Sequence, residues 1–349
     1  MRAAIFHAAG TPLSIGAVED PVPGAGDVIL KVEACGICGS DLHLSDNHDG
    51  AGGMAVLPPG SVMGHEFCGE IVAVGADSAG RLKVGQRATA VPMMSCGTCL
   101  PCLSGNPKRC REAAFVGIGE NGGGYAEYVR VRAHETLPLP GHFGLGDGAL
   151  VEPLAVGLHA VERARLRPGD SVLVVGAGPV GLAVAMWCRH FGARHVVASD
   201  LAAARVEAAA RFGATDGIDA RKENVGERFR SIAGRRPDVV FDCVGAPGTL
   251  QLSMDYADFD SRVVVAGVCM HPDRILPVKA VTKELDLVFA YCYRRQDFQL
   301  TIEMLDAGRI PAGELVSDRV GFDAFPDAFE ALKKPNGQVK VLLEPGRTR

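Results

Sequence analysis

Ser171-Val172-Leu173-Val174-Val175-Gly176-Ala177-Gly178-Pro179-Val180-Gly181 is the stretch whose reading decides the fold. The apolar run 172–175 has the length and β-branching of a buried strand, the glycines break it, and an apolar segment of helical length follows from Pro179 to Phe191. The same alternation continues downstream. HVVASD (195–200), DVVFDCV (238–244), RVVVAGV (262–268) and LDLVFAY (285–291) read as strands, and the alanine-rich 201–212 reads as a helix. Short apolar strands separated by helices indicate βαβ units, and hence an α/β domain with a doubly wound parallel sheet covered on both faces.

A G-x-G-x-x-G pattern carries little information alone, but between a strand and a helix it predicts a dinucleotide site. Gly176 permits the tight turn, Gly178 lets the backbone approach a pyrophosphate, and Gly181 allows the helix to pack closely on the sheet. The helix N-terminus that opens at Pro179 then offers the free N–H groups of the residues after it, Val180 first, to the anion. Asp200 closes the next strand, roughly 20 positions beyond the first glycine, where a carboxylate reaches the adenosine ribose hydroxyls and repels a 2′-phosphate. NAD is therefore expected over NADP. Arg205 would tolerate a phosphate, but from its place in the following helix it is expected to face solvent. Val244 and Val268, at the ends of later strands, complete the expected cofactor-binding set.

Working outward, residues 1–153 contain short alternating strands such as DVILKVEA, GEIVAVGA and GYAEYVRVRA, punctuated by glycine and proline, which predicts an antiparallel or barrel-like β domain. The tail after Tyr291 offers helices near 298–307 and 325–333 and a last strand, VKVLLE, expected to pack back on the first domain. The expected division is 1–153 with 293–349, and 154–292. Length supports two domains, since 349 residues exceed the usual single core. A net charge of -5 argues against a general nucleic-acid partner. The opening Met1-Arg2-Ala3-Ala4-Ile5-Phe6-His7 lacks a signal-peptide succession, and no apolar run approaches the length of a membrane span. The expected location is cytoplasmic.

In a reducing compartment, clustered cysteines bind metal more often than they pair. Of 11 cysteines, four lie in Cys96-x2-Cys99-x2-Cys102-x7-Cys110, a set that closes a tetrahedral structural zinc within a lobe at 94–112. A nucleic-acid zinc ribbon fits poorly, because the compact block lacks paired knuckles and only Lys108, Arg109 and Arg111 lie nearby. Three further segments offer ligands: Cys35-Gly36-Ile37-Cys38-Gly39-Ser40-Asp41, Gly64-His65-Glu66, and Val151-Glu152-Pro153-Leu154. A lone histidine or glutamate in such a segment is more often an ordinary satisfied side chain than a ligand.

Taken in order, the C-G-I-C-x-S-D turn, the G-H-E segment, the four-cysteine lobe, the E-P-L segment and the nucleotide fingerprint resemble the zinc-containing medium-chain alcohol dehydrogenases, in their polyol, butanediol and threonine dehydrogenase-like branch, over essentially the whole chain. The resemblance implies a GroES-like catalytic domain beside a Rossmann domain and two zinc ions per chain. It implies that Cys38 and His65 bind the catalytic zinc, with Glu152 or Glu66 supplying a carboxylate and water completing the site. Cys38 and Glu152 already balance the charge of Zn²⁺, so Glu152 is the expected resting ligand and Glu66 a neighbouring or exchange ligand. The open position suits an alcohol, whose alkoxide the zinc stabilises as hydride leaves. Ser40 and His43 supply a hydroxyl and an imidazole suited to relaying the released proton. Asp41 either orients a ligand or caps the helical turn that follows, and Cys35 is expected to pack as a small apolar group.

The implied activity is NAD-linked oxidoreduction of a secondary alcohol, polyol or vicinal diol. A primary-alcohol or amino-alcohol dehydrogenase, and a zinc- and NAD-binding protein without turnover, are the alternatives. Asp46, Asn47, His48 and Asp49 form either a polar wall for a second hydroxyl or a solvated loop. A homotetramer is implied, with a homodimer as the alternative, touching through the strand near 285–291.

Overall fold

The computed structural model describes residues 1–48, 50, 56–78, 80–119, 121–334 and 337–348. They form two compact units: Met1–Glu152 with Tyr293–Gly308 and Ala312–Arg349, and Pro153–Cys292 with Arg309–Pro311. The division falls inside helix Leu145–Arg163, at Pro153, whose missing N–H interrupts the helical ladder.

The second unit is built on a six-stranded sheet in the order Asp216–Asp219, His195–Asp200, Ser171–Val175, Val239–Asp242, Arg262–Val265, Asp286–Phe289. Every neighbouring pair is parallel. Valine dominates the central strands because both faces are covered, and Leu173, Val197, Val240 and Val263 are all fully buried. Strand order reverses between Ser171–Val175 and Val239–Asp242, so a crevice opens at their carboxyl ends, where open α/β sheets bind ligands. Helix Pro179–His190 starts there, with Gly178 as its N-cap and Pro179 in its first turn.

The first unit carries a seven-stranded sheet in the order Val316–Val320, Lys340–Leu343, Asp27–Gly36, Glu66–Val74, Arg87–Ala90, Thr136–Pro138, with Tyr128–Arg132 also paired to Asp27–Gly36. The pairs are antiparallel except Val316–Val320 with Lys340–Leu343. The tail does return to this sheet: Leu342 pairs with Gly36 and Leu343 with Cys35. Tyr125, Phe325 and Phe329 meet in its core, with Tyr125 and Phe325 ring centroids 4.8 Å apart. Among the described residues no helix is long and apolar enough to cross a membrane.

Candidate active site

Cys38 is the N-cap of helix Gly39–Ser45, His65 follows the left-handed Gly64 (φ 99°), and Glu66 begins strand Glu66–Val74. Pairing of Gly36 with Glu66 across the sheet brings the three together. One donor atom from each of Cys38, His65 and Glu66 lies within 4.8 Å of the others. A Cβ on Gly36 would overlap the Glu66 carboxylate, so glycine is needed at that strand position.

Asp41 fills both roles left open by the sequence. Its Oδ2 accepts from the Cys38 backbone N–H at 3.1 Å, capping the helix, and from the Tyr125 hydroxyl at 2.6 Å. Its Oδ1 lies 3.2 Å from His65 Nδ1, a close contact between two buried groups. Burial disfavours charge on His65, but Asp41 and then Cys38 outweigh it and hold the imidazole pKa well above the usual value. Cys35, fully buried, has its thiol pushed up by that burial and by Asp41, as an inert packing group would.

Glu66 is not a surplus charge. Lys340, 2% exposed, places Nζ 2.6 Å from both Glu66 oxygens and donates to the Ile37 carbonyl at 3.0 Å. Burial opposes the lysine charge, yet Glu66 and then Cys38 keep its pKa above the usual lysine value. Glu152, expected as the resting ligand, lies outside the 4.8 Å donor set, though near enough to feel the charges of His65 and Glu66. Burial above all, with the Glu66 charge adding, pushes its carboxyl up to about 7 against the pull of His65, the Tyr293 hydrogen bond and Lys340.

Ser40 and His43 stand three positions apart on helix Gly39–Ser45, hence on one face, Ser40 half-buried and His43 exposed. Asp46 is engaged by Lys333 at 2.9 Å, Asn47 is buried and His48 exposed; Asp49 and residues 51–55 lie outside the described residues. Lys340, Tyr125 and Tyr293 went unread in the sequence. For Lys340 a signal existed, a lone charge in the apolar run Val339-Lys340-Val341-Leu342-Leu343.

The donor atoms of Cys96, Cys99, Cys102 and Cys110 also lie within 4.8 Å of one another, and all four thiols are free. Sulfurs on a zinc tetrahedron stand about 3.8 Å apart given Zn–S near 2.3 Å; Cys99 and Cys102 are at 3.4 Å and Cys96 and Cys102 at 3.9 Å. N–H groups of Thr98 and Cys99 directed at the Cys96 sulfur lower its pKa, while burial and the neighbouring sulfurs raise those of Cys99 and Cys102, so the four thiols share their protons until a metal displaces them. Leu100 and Leu103 are 79% and 72% exposed, so the lobe has little apolar packing to hold it. Both donor sets therefore fit zinc: four sulfurs close one site, and a sulfur, nitrogen and oxygen leave the other open.

In the second unit Gly176 adopts φ 93°, and a Cβ on Gly181 would overlap the Gly176 carbonyl. Asp200 Oδ2 accepts from Ala177 N at 2.9 Å and Oδ1 from Ala202 N at 2.8 Å, so the carboxylate also braces the turn. Arg205, expected to face solvent, is one third exposed, and its Nη1 lies 3.9 Å from Asp200 Oδ2. Val244 borders Gly176, and the Val268 backbone packs on Gly245; both valines are about half exposed at the crevice.

Residues 24–141 match the alcohol dehydrogenase GroES-like domain and 179–307 the zinc-binding dehydrogenase family. Sorbitol dehydrogenase of Bacillus subtilis is 32% identical over 99% of this chain and 98% of its own. The fold is similar to a Sinorhizobium meliloti zinc-binding dehydrogenase solved with NADP (31% identity, TM-score 0.88, 99% of both chains). It is equally similar to 2R,3R-butanediol dehydrogenase of Bacillus subtilis (30% identity, TM-score 0.88, 99% of both chains). With such identity running through nearly the whole chain, and with both zinc-type donor sets in place, the protein belongs to the zinc-dependent medium-chain alcohol dehydrogenase family of oxidoreductases.

Proposed function

We propose that this enzyme interconverts a secondary alcohol, polyol or vicinal diol and its ketone, with NAD as hydride acceptor. The observation that carries the reading is the donor set of a half-buried Cys38 with buried His65 and Glu66, with Glu152 near enough to feel their charges, since a carboxylate is a harder ligand than a second thiolate and suits oxygen-rich substrates. The polyol and diol substrates in the names of the two Bacillus relatives support the same class.

Cys38, His65 and a carboxylate, Glu152 or Glu66, would hold the catalytic ion, and Cys96, Cys99, Cys102 and Cys110 would hold the second. Zinc in the open site supplies the Lewis acidity by which an alcohol loses its proton near neutral pH. Asp41, facing Nδ1, turns the other His65 nitrogen to the metal and is itself fixed by Tyr125. Ser40 Oγ takes the alcohol proton, and the exposed His43 passes it to water. Gly176, Gly178, Pro179, Val180 and Gly181 seat the pyrophosphate, and Val244 and Val268 line the crevice. Asp200 takes the ribose and repels a 2′-phosphate, favouring NAD although the Sinorhizobium meliloti relative was solved with NADP and Arg205 lies near.

A cytoplasmic location is the reading supported by clustered cysteines whose spacing suits metal binding rather than disulfide pairing. Edge strand Asp286–Phe289 and the Tyr291 just beyond it, with Phe289 61% exposed and Tyr291 54%, are the surface through which it forms a homotetramer, or a homodimer. Comparing matched primary alcohols, secondary alcohols and vicinal diols under saturating NAD tests the substrate class. Secondary alcohols or diols should show the higher kcat/KM, and a clear preference for primary alcohols would reject the proposal.

A further inference from the structure

The crevice at the reversal of strand order has two sides. Strand His195–Asp200, whose Asp200 is assigned to the adenosine ribose, flanks Ser171–Val175 on one side, and strand Val239–Asp242 flanks it on the other. A dinucleotide whose pyrophosphate sits over Gly176–Gly181 therefore carries its nicotinamide half over the second side. Two turns wall that side, residues 243–245 and 266–268, and they bear Val244 and Val268, 45% and 50% exposed.

Both turns are held by one residue. Asp242 is 1% exposed. Its Oδ1 accepts from the backbone N–H groups of Val244 at 3.0 Å and Gly245 at 3.2 Å, and the Thr249 hydroxyl donates to its Oδ2 at 2.8 Å. Its carbonyl accepts from Ala266 N at 2.9 Å and Gly267 N at 2.8 Å. The turns also meet each other: a Cβ on Gly245 (φ 69°) would overlap the Val268 backbone, and one on Gly267 would overlap the Gly245 backbone. A cavity of about 240 Å³ borders Gly245, Ala246 and Gly267, so hydrogen bonds hold these turns where packing is incomplete. Strand pairing alone calls for no charge at the end of Val239–Asp242. Burying a carboxylate there is costly unless its oxygens are used, and here they are spent on the turn.

We propose that Asp242 is a positioning residue for hydride transfer: its carboxylate fixes the 243–245 turn, and through Gly245 the 266–268 turn, so that Val244 and Val268 hold the nicotinamide ring. The inference rests on the dinucleotide reading given above.

Its test compares two ligands by titration calorimetry on the zinc-loaded enzyme: NADH, and ADP-ribose, which keeps the adenosine and pyrophosphate but lacks the nicotinamide. Asp242→Ala should weaken NADH binding about tenfold, as expected for losing charge-assisted hydrogen bonds, and leave ADP-ribose within about twofold. Asp242→Asn keeps an oxygen for the Val244 and Gly245 N–H groups and should hold NADH affinity within about threefold of the parent. Should the alanine variant not fold, Asp242→Leu, similar in outline but without an acceptor, should show the same split. Equal weakening of both ligands would make Asp242 a support of the whole domain and overturn the proposal, as would unchanged NADH affinity in the alanine or leucine variant. A folded parent enzyme that binds neither ligand rejects the dinucleotide reading itself, and the inference with it.

Discussion

The Tyr125 hydroxyl donates to Asp41 Oδ2 at 2.6 Å, and both residues are fully buried, so the carboxylate that faces His65 is fixed from behind by a phenol. Phe325 and Phe329 hold that phenol in turn, with ring centroids 4.8 and 6.2 Å from it. Tyr125→Phe keeps the packing and deletes only the donor. It should cost about 2 kcal/mol of stability, as expected for losing a hydrogen bond to a buried charge, and lower zinc affinity at the Cys38 site about tenfold. Calorimetry and chelator competition measure the two effects. Unchanged zinc affinity would show that Asp41 needs no support.

The two metal sites should separate by what they damage. Cys99→Ala removes one of four sulfurs from a lobe whose leucines face solvent, and should lower Tm by at least about 5 °C with loss of one zinc equivalent. Cys38→Ala should abolish turnover while leaving the Tm close to that of the parent. Elemental analysis beside thermal melts reads both variants, and equal melting losses would count against the distinction.

Cofactor choice should turn on Asp200. Asp200→Ala is expected to narrow the preference for NAD over NADP by removing the charge that repels a 2′-phosphate and leaving Arg205 unopposed. Because the same carboxylate accepts the Ala177 and Ala202 N–H groups, kcat/KM with NAD should fall as well. Steady-state kinetics with both cofactors decide, and a parent enzyme more efficient with NADP would reject the assignment.

Alcohol oxidation releases a proton and carbonyl reduction consumes one, so oxidation should quicken as pH rises and reduction as it falls. Ser40→Ala should lose most activity in both directions. His43→Gln, at the exposed end of the same helical face, should slow oxidation more moderately, about tenfold. Rate profiles across pH check both variants; full activity in Ser40→Ala would remove Ser40 from the proton path.

Where one short segment contains a whole device, the sequence alone determined it. Gly176 through Gly181 specify their turn because each glycine answers a local demand, and the Cys96 to Cys110 block gathers four thiols because the spacing keeps them within one loop. The alternation of β-branched strands with helices likewise announced a parallel sheet, since burial on both faces leaves its mark residue by residue. Tertiary structure alone decided how the metal centre is balanced and braced. Lys340 reaches Glu66 across 274 positions, through the pairing of Leu342 with Gly36 and of Gly36 with Glu66. Tyr125 reaches Asp41 across 84. Such meetings depend on strand order and register, which are set by the packing of the whole sheet, and no local spacing of residue types encodes them.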